Sequence, residues 1–486
     1  MQLSKLISAT AVKEIKGTAE GLDIKNIQFD SRKVGVGDLF VATRGTTVDG
    51  HEFISNAIEQ GAVAIVCEEI PSGLEQNRNI TYIIVDDSQR TLGEMASAYY
   101  DNPSRKLILV GVTGTNGKTT IATLLYRLTR RLGYRAGLLS TVCNYVEDKA
   151  IPSTHTTPDA LALQELLHQM VESGCEYAFM EVSSHSIAQQ RIAGLQFNGG
   201  IFTNLTRDHL DFHKTFENYR DTKKHFFDLL TDNCFAITNI DDENGITMVR
   251  DTKARVFTYS QQHLQADFFA QIQSEQISGM AIEINHSDIL HTPLVGHFNV
   301  SNLLAIYSAA LCLKFNKEQV LQELSTLCPV NGRFETIHSQ KGWTAIVDYA
   351  HTPDAVENVI NTIKEIKHSD GRLLTVIGCG GNRDKGKRPQ MAQIAFHGSD
   401  LLILTSDNPR DENPNDILKD MLDGLAENER EQVLVIEDRA EAIEKACALA
   451  KENDIVLVAG KGHENYQIIQ GIKHHFDDHE QIRLHT

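Results

Sequence analysis

Leu107-Ile-Leu-Val-Gly-Val-Thr-Gly-Thr-Asn-Gly-Lys-Thr-Thr120 starts as an apolar run of strand type and ends in a glycine-rich turn, and 121–131 then carries the apolar spacing of a helix. Strand, glycine turn and helix in that order make a cradle for phosphate. The glycines let backbone N–H groups wrap phosphate oxygens, and the helix N-terminus adds a favourable dipole. Lys118 would neutralise the β/γ charge and Thr119 would offer its hydroxyl to Mg²⁺. Gly114, Thr115, Asn116, Gly117, Lys118, Thr119 and Thr120 are therefore candidate nucleotide-binding residues. The longer P-loop pattern has glycine where this chain has Val112, so the match is to a shorter Gly-x-x-Gly-Lys-Thr form. An ordinary strand-to-helix turn is the alternative; the strong strand before and helix after favour ATP or GTP.

Working outward, short apolar runs at 62–67, 82–85, 107–112, 373–377, 401–404 and 455–458 alternate with longer helical patterns, which predicts an α/β protein with largely parallel sheets. At 486 residues the chain exceeds one ordinary core, and three domains are expected. A helical stretch at 91–100 is broken by Asp101-Asn102-Pro103-Ser104, and another at 317–327 by Cys328-Pro329-Val330-Asn331-Gly332-Arg333. The expected domains are 1–101, 102–331 and 332–486.

A net charge of −19 argues against a general affinity for nucleic acid or an anionic membrane, since both need clustered excess Lys and Arg. No apolar run approaches the roughly 20 residues that span a bilayer, and residues 1–10 do not read as a secretory leader, so a cytoplasmic protein is expected. The eight cysteines are scattered without Cys-x-x-Cys pairs, which reads as buried thiols.

Two further apolar runs end in polar residues. Ala178-Phe-Met-Glu181-Val-Ser183-Ser-His185 places a carboxylate at a strand end, where α/β sheets present their site residues, and Glu181 is a candidate magnesium ligand. Gly200-Ile-Phe-Thr-Asn-Leu205 leads into Thr206-Arg-Asp208-His209-Leu-Asp-Phe-His213. The His209/His213 spacing hints at zinc, but no Glu follows His209 and the phosphate loop favours magnesium. In Tyr219-Arg-Asp-Thr-Lys223-Lys224-His225, an amphipathic helix, the two lysines by themselves read as solvated surface charges.

Taken together, 113–120, 181–189, Asp208-His209-Leu210-Asp211 and the Tyr-x-x-x-Lys after it resemble the Mur ligase family in order and spacing. So do Leu294-Val-Gly-His-Phe-Asn299-Val-Ser-Asn302, Asn331-Gly-Arg333-Phe-Glu335, Val347-Asp348-Tyr-Ala-His351-Thr-Pro353, and Gly378-Cys-Gly-Gly-Asn-Arg383-Asp-Lys-Gly-Lys387-Arg388-Pro389. The resemblance spans nearly the whole chain. It implies a central P-loop domain with a mostly parallel sheet flanked by helices, a C-terminal Rossmann-like α/β domain and a smaller N-terminal α/β domain. It also implies a monomeric ligase of cell-wall peptidoglycan synthesis, in which ATP phosphorylates a carboxylate, an amine attacks the acyl phosphate, and the intermediate collapses to amide and phosphate. Catalysis would then rest on positioning and on positive charge at the phosphoryl oxygens.

By the same resemblance Lys118, Glu181, His209 and Lys223 are the expected catalytic residues. Thr119, Glu181 and His209 are magnesium-associated, and Lys223 is carbamylated (N6-carboxylysine), selected over Lys224 by the Tyr-x-x-x-Lys spacing. Asn299, Arg333 and Asp348 fall on the nucleotide. Ser31 in Phe29-Asp-Ser-Arg32, with Thr46 and Thr47, resembles a uridine-nucleotide site. Thr156, Thr157, Ser183, Gln189 and Arg191 match positions that hold a UDP-N-acetylmuramoyl-L-alanyl-D-glutamate substrate, with His155 standing where the family often has Asn.

Asp407-Asn408-Pro409-Arg410 resembles members that add meso-2,6-diaminopimelate, with Arg383, Gly460 and Glu464 completing the site. Diaminopimelate exceeds lysine by a carboxylate that Arg410 and Arg383 could grip through planar charge-assisted bonds, while Glu464 holds an ammonium. Lysine would leave those arginines unpaired, and such a site rejects a missing polar group by roughly 10⁴-fold. Without the other motifs, 407–409 would read as a turn and Arg410 as a surface charge. The alternatives are a lysine-adding ligase of the same family, a folylpolyglutamate synthase and a P-loop regulatory switch.

Overall fold

The computed structural model describes every residue except 46–47, 75–76 and 154. The chain forms two compact units: Met1–Gly111 with Gly133–Gly200, and Val112–Leu132 with Ile201–Thr486. Among the described residues no helix is long and apolar enough to cross a membrane.

The first unit opens with a sheet ordered Glu14–Lys16, Thr81–Ile84, Ala64–Cys67, Leu39–Val41, Ile27–Gln28. Successive residues of its inner strands face opposite layers. Leu39, Val41, Ala64, Val66 and Ile83 pack with Leu3, Leu6, Leu92 and Met95, whereas Phe40, Ile65, Cys67 and Tyr82 pack with Ile54 and Ala57. Burial on both faces is why these strands are unbroken apolar runs. The helix Ser88–Tyr99 starts earlier than its apolar spacing suggests because the Asp87 side chain caps it, accepting from the Arg90 N–H. It stops where Asp101 and Asn102 take left-handed backbone ahead of Pro103. The unit's second sheet runs Gly199–Phe202, Ile108–Thr113, Tyr177–Glu181, Ala136–Leu139, Cys143–Val146, Lys149–Pro152, the first two strands continuing into the other unit.

The second unit carries the helix Lys118–Arg131 and the strands Phe235–Asn239, Arg255–Ser260 and Phe268–Gln276, paired in parallel. A further sheet is ordered Glu335–His338, Thr344–Asp348, Ile455–Ala459, Leu373–Ile377, Leu401–Leu404, Leu434–Val435. Ile455–Ala459, last of these in the chain, lies between Thr344–Asp348 and Leu373–Ile377 and is parallel to both. The C-terminal ends of these strands therefore lie along one sheet edge, and the loops following Asp348, Ile377, Leu404 and Ala459 emerge together at the crevice where α/β sheets bind ligands.

The α/β class and its three domains are borne out, with one amendment. The sheets are mixed: Cys143–Val146 with Lys149–Pro152, and Gly279–Ile284 with Asp288–Thr292, pair antiparallel. Their two- and three-residue turns have room for a hairpin but none for a parallel crossover. Five of the eight cysteines are buried, Cys143 and Cys312 are half-buried, and Cys328, after the helix Lys317–Leu324, is exposed, contrary to the buried-thiol expectation.

Candidate functional site

In the second unit the glycine turn has the geometry its sequence requires. Gly114 (φ 146°) and Gly117 (φ 85°) occupy left-handed backbone; a Cβ on Gly114 would lie 1.8 Å from Thr203 Oγ1, and one on Gly117 2.6 Å from Asn302 Oδ1. The turn is braced by the segment after the strand Gly199–Phe202. Thr203 Oγ1 donates to the Asn116 carbonyl (2.6 Å), and the Thr115 and Asn116 N–H groups donate to the Asn204 carbonyl and Asn204 Oδ1 (2.8 Å each). Asn116 Nδ2 donates to Asp354 Oδ2 (2.9 Å), and Arg333 Nη2 to Thr119 Oγ1 (3.2 Å).

Two lysines converge on one carbonyl of this turn. Lys118 Nζ donates to the Gly114 and Thr115 oxygens (3.0 and 2.7 Å), and Lys223 Nζ donates to Gly114 O (2.7 Å). Lys223, on the helix Phe216–Asp228, is 1% exposed. Burial, reinforced by the Lys118 charge, pushes its amine well below the usual lysine range, and Asp208 opposes this only in part. Tyr219, one turn earlier, puts its ring 4.8 Å from Lys223 Nζ and its hydroxyl 3.1 Å from Thr115 Oγ1. Lys224 points elsewhere, pairing with Asp228 and Asp251 at 2.7 Å each.

His209 immediately precedes the short helix Leu210–His213 in left-handed backbone (φ 54°), and its Nε2 is 3.3 Å from Asp208 Oδ2. Burial would raise the Asp208 carboxyl, but His209, His351 and Lys387 hold it at about 2. Among the described residues no group of three or more His, Cys, Asp or Glu could hold a metal, so His209 and His213 do not form the zinc cage that their spacing hints at. A cavity of about 850 Å³, within the usual range for ligand pockets, is lined by Asn116, Gly117, Thr120, Asn299, Arg333 and Asp348. Asp348 is buried and accepts the Phe334 and Ala350 N–H groups (2.7 Å each), and burial raises its pKa despite Arg333.

The loops at the sheet edge assemble a second cluster. Asn408 Nδ2 donates to Glu464 Oε2 (2.7 Å) and Asp407 Oδ1 (2.9 Å), and a Cβ on Gly460 would lie 2.6 Å from Asp407 Oδ2. Arg410, in left-handed backbone (φ 55°) after Pro409, donates from Nη1 to Gly381 O (2.8 Å). A Cβ on Gly380 would lie 2.8 Å from Arg410 Nη1 and 3.9 Å from Arg383 Cγ, so the two arginines flank one glycine. Asp407, Asn408, Pro409, Arg410, Gly460, Glu464 and Arg383 are thus brought together.

In the first unit, Glu181 ends its strand with Oε1 accepting the Thr141 N–H (2.7 Å), while Oε2 is buried with no hydrogen-bond partner among the described residues. Thr157 Oγ1 donates to the Glu181 carbonyl (2.8 Å), and Ser183 Oγ lies 3.4 Å from Thr157 Oγ1. Arg191 donates to Thr157 O (2.8 Å) and Gln189 Oε1 (2.5 Å), and Thr156 accepts from Thr141 (3.0 Å). Thr156, Thr157, Glu181, Ser183, Gln189 and Arg191 form one cluster. Ser31 is buried at the start of a 3₁₀ turn next to Asp30, which lines a separate cavity of about 300 Å³ with Gln28, Tyr99 and Asp159. Thr46 and Thr47 lie outside the described residues.

No role follows from the sequence for Thr203, Asn204, Asn302 or Asp354, which brace the sites above, or for Lys461, whose Nζ donates to Glu464 Oε2 (3.2 Å). Thr203, Asn204 and Asn302 fall inside quoted stretches; Asp354 meets Asn116 across 238 residues, a pairing that no local pattern announces.

Residues 23–100, 112–310 and 332–462 match family models described as the Mur ligase family catalytic domain, the Mur ligase middle domain and the Mur ligase glutamate ligase domain. The chain is 56% identical over 483 residues, 99% of each chain, to a UDP-N-acetylmuramoyl-L-alanyl-D-glutamate--2,6-diaminopimelate ligase of Phocaeicola vulgatus. It is 58% identical to the ligase of that name from Parabacteroides distasonis, over 99% of this chain and 98% of that one. A solved structure of a ligase with that name superposes with a TM-score of 0.69 at 32% identity, covering 100% of this chain and 98% of the other.

Proposed function

This chain belongs to the Mur ligase family, and from that premise we propose that it joins meso-2,6-diaminopimelate to UDP-N-acetylmuramoyl-L-alanyl-D-glutamate at the expense of ATP, in peptidoglycan synthesis. It is an ATP-dependent carboxylate–amine ligase. One observation carries the reading: a single compact unit holds both the phosphate turn and a cluster in which Asn408 links Arg410, through its carbonyl, to Glu464, through its amide, a cation for a second carboxylate and an anion for an ammonium.

A carboxylate resists amines because oxide is a poor leaving group. In the reaction a carboxylate oxygen of the dipeptide attacks the γ-phosphorus, the P–O bond to ADP breaks, and an acyl phosphate forms. The amine then attacks the carbonyl carbon, loses a proton and expels phosphate. The protein's part is to bind, orient and supply charge. We assign Gly114, Thr115, Asn116, Gly117, Lys118, Thr119, Thr120, Asn299, Arg333 and Asp348 to the nucleotide. Ser31, Thr46, Thr47, Thr156, Thr157, Ser183, Gln189 and Arg191 are assigned to the UDP substrate. Arg383, 407–410, Gly460 and Glu464 are assigned to diaminopimelate. Magnesium, when bound, supplies positive charge to the phosphoryl oxygens; Thr119, Glu181 and His209 are its proposed residues, and the buried Oε2 of Glu181, with no partner among the described residues, fits a metal ligand.

Lys223 is proposed to be carbamylated. Its nitrogen lone pair bonds the carbon of CO₂, one C=O pair moves onto oxygen, and a proton leaves the nitrogen for water. Only the neutral amine can do this, and burial holds Lys223 towards that form. Domains 1–101, 102–331 and 332–486 are proposed to hold the UDP substrate, ATP and the amino acid respectively, in a monomer of the cytoplasm.

The test is phosphate release from ATP, Mg²⁺ and the UDP-muramoyl dipeptide across a panel of amino acids. Turnover is expected with meso-diaminopimelate and, by roughly 10³-fold or more, less with lysine; equal turnover with lysine would sink the specificity claim.

A further inference from the structure

We propose that Lys461 is a positioning residue of the acceptor pocket: its buried ammonium holds the Glu464 carboxylate and the Asn408 amide in the arrangement that receives the incoming amino acid's ammonium group. The proposal rests on the acceptor reading given above and adds to it a group that touches no substrate.

Lys461 follows the strand Ile455–Ala459 and is 0% exposed. A buried ammonium persists only where it is paired and hydrogen-bonded. Here Nζ donates to Glu464 Oε2 (3.2 Å), to the Tyr466 carbonyl and, at 3.5 Å, to Asn408 Oδ1. The Asn408 amide is oriented on both sides: Oδ1 also accepts the Ile468 N–H (2.9 Å), while Nδ2 donates to Glu464 Oε2 and Asp407 Oδ1. Glu464 Oε2 thus takes two donors, and among the described residues Oε1 meets only the Tyr349 hydroxyl at 3.5 Å. Oε1 is the oxygen with capacity for a substrate ammonium.

The Tyr466 contact extends this hold to the selecting loop. Tyr466 opens the hairpin of Tyr466–Ile469 and Ile472–His475, and the hairpin grips 407–410 from its other side. Gln467 Nε2 donates to Asp407 O (2.7 Å), and the Arg410 N–H donates to Ile468 O (2.9 Å). One ammonium therefore tethers the ammonium-binding carboxylate and the strand that seats Arg410.

Charge makes the role testable. The groups facing Glu464 are Asp407, Lys461, Asn408, Tyr349 and Tyr466, with Arg439 behind. Burial and then Asp407 raise the Glu464 carboxyl, and Lys461 and Asn408 oppose them. Without the ammonium, Glu464 takes up a proton at higher pH and loses its charge for the substrate.

The experiment is steady-state KM for meso-diaminopimelate and for ATP, in the full chain over about pH 6 to 9, for wild type, Lys461→Met, Lys461→Gln and Lys461→Arg, with Tm for each. Lys461→Met is expected to raise KM for diaminopimelate about tenfold or more at neutral pH, easing as pH rises, while KM for ATP moves less than about twofold. Lys461→Arg restores most of the affinity, and Lys461→Gln stands in if Lys461→Met does not fold. An unchanged KM in a folded neutral variant, a loss equal at every pH, or failure of both neutral variants to fold would overturn the proposal. Absence of diaminopimelate turnover in wild type would instead overturn the acceptor reading itself.

Discussion

The proposed chemistry leans on Lys223 more than on any other single side chain, because a lysine with 1% exposure beside a second lysine has no reason in stability to be there. Burial and the neighbouring Lys118 hold the amine below the usual lysine range, and the proposed carbamate would turn that liability into an anion placed next to the phosphate turn. Lys223→Ala is expected to lower the ligation rate by roughly 10³-fold, with partial rescue by short carboxylic acids that supply the missing oxygens. Lys224→Ala, which removes only the surface pairs with Asp228 and Asp251, is expected to stay within about twofold. Rescue of neither variant together with full activity in Lys223→Ala would remove the carbamate from the mechanism.

Among the elements, the helix Lys387–Gly398 shows how the acceptor loops are held. Arg388, 0% exposed at its start, pairs with Glu412 (2.8 Å) and Asp420 (2.7 Å) and donates to Gly380 O. The Arg388 guanidinium holds Glu412 at about 2, below its ordinary 4.5. A carboxylate lowered on folding contributes stability that is whole above its unfolded pKa and is lost as pH falls through the folded one, here from 4.5 towards about 2. Arg388→Met should cost about 2 kcal/mol at neutral pH, discounted because both carboxylates are partly solvated, and should flatten that acid limb. Urea midpoints at about pH 7 and about pH 3 measure both effects, and identical midpoints for the two proteins would contradict the account. The same scale explains what was legible beforehand. The strands Leu373–Ile377 and Leu401–Leu404 bury nearly every residue and appear as apolar runs, broken only by Thr375. The ribbons Lys149–Pro152 and Ile472–His475 are largely exposed and too short to carry an apolar run, so no pattern marks them or the hairpin that seats Arg410. Site residues were legible where a motif fixes them on one strand end; the partners that brace them from distant segments, such as Asp354 and Thr203, were not.

At the scale of the molecule, strand order does the assembling. Placing Ile455–Ala459 between Thr344–Asp348 and Leu373–Ile377 brings loops from four separate stretches to one edge, and the same unit contains the phosphate turn that Arg333 reaches through Thr119. That organisation serves a reaction in which phosphoryl transfer and amine attack occur at one carbonyl. The central claim is that the dipeptide carboxylate itself is phosphorylated, and isotope transfer tests it without reference to any variant. With oxygen-18 in the reacting carboxylate of UDP-N-acetylmuramoyl-L-alanyl-D-glutamate, mass spectrometry of the released phosphate is predicted to show one labelled oxygen per molecule formed with meso-diaminopimelate. Unlabelled phosphate accompanying amide product would contradict the acyl-phosphate route and the account built on it.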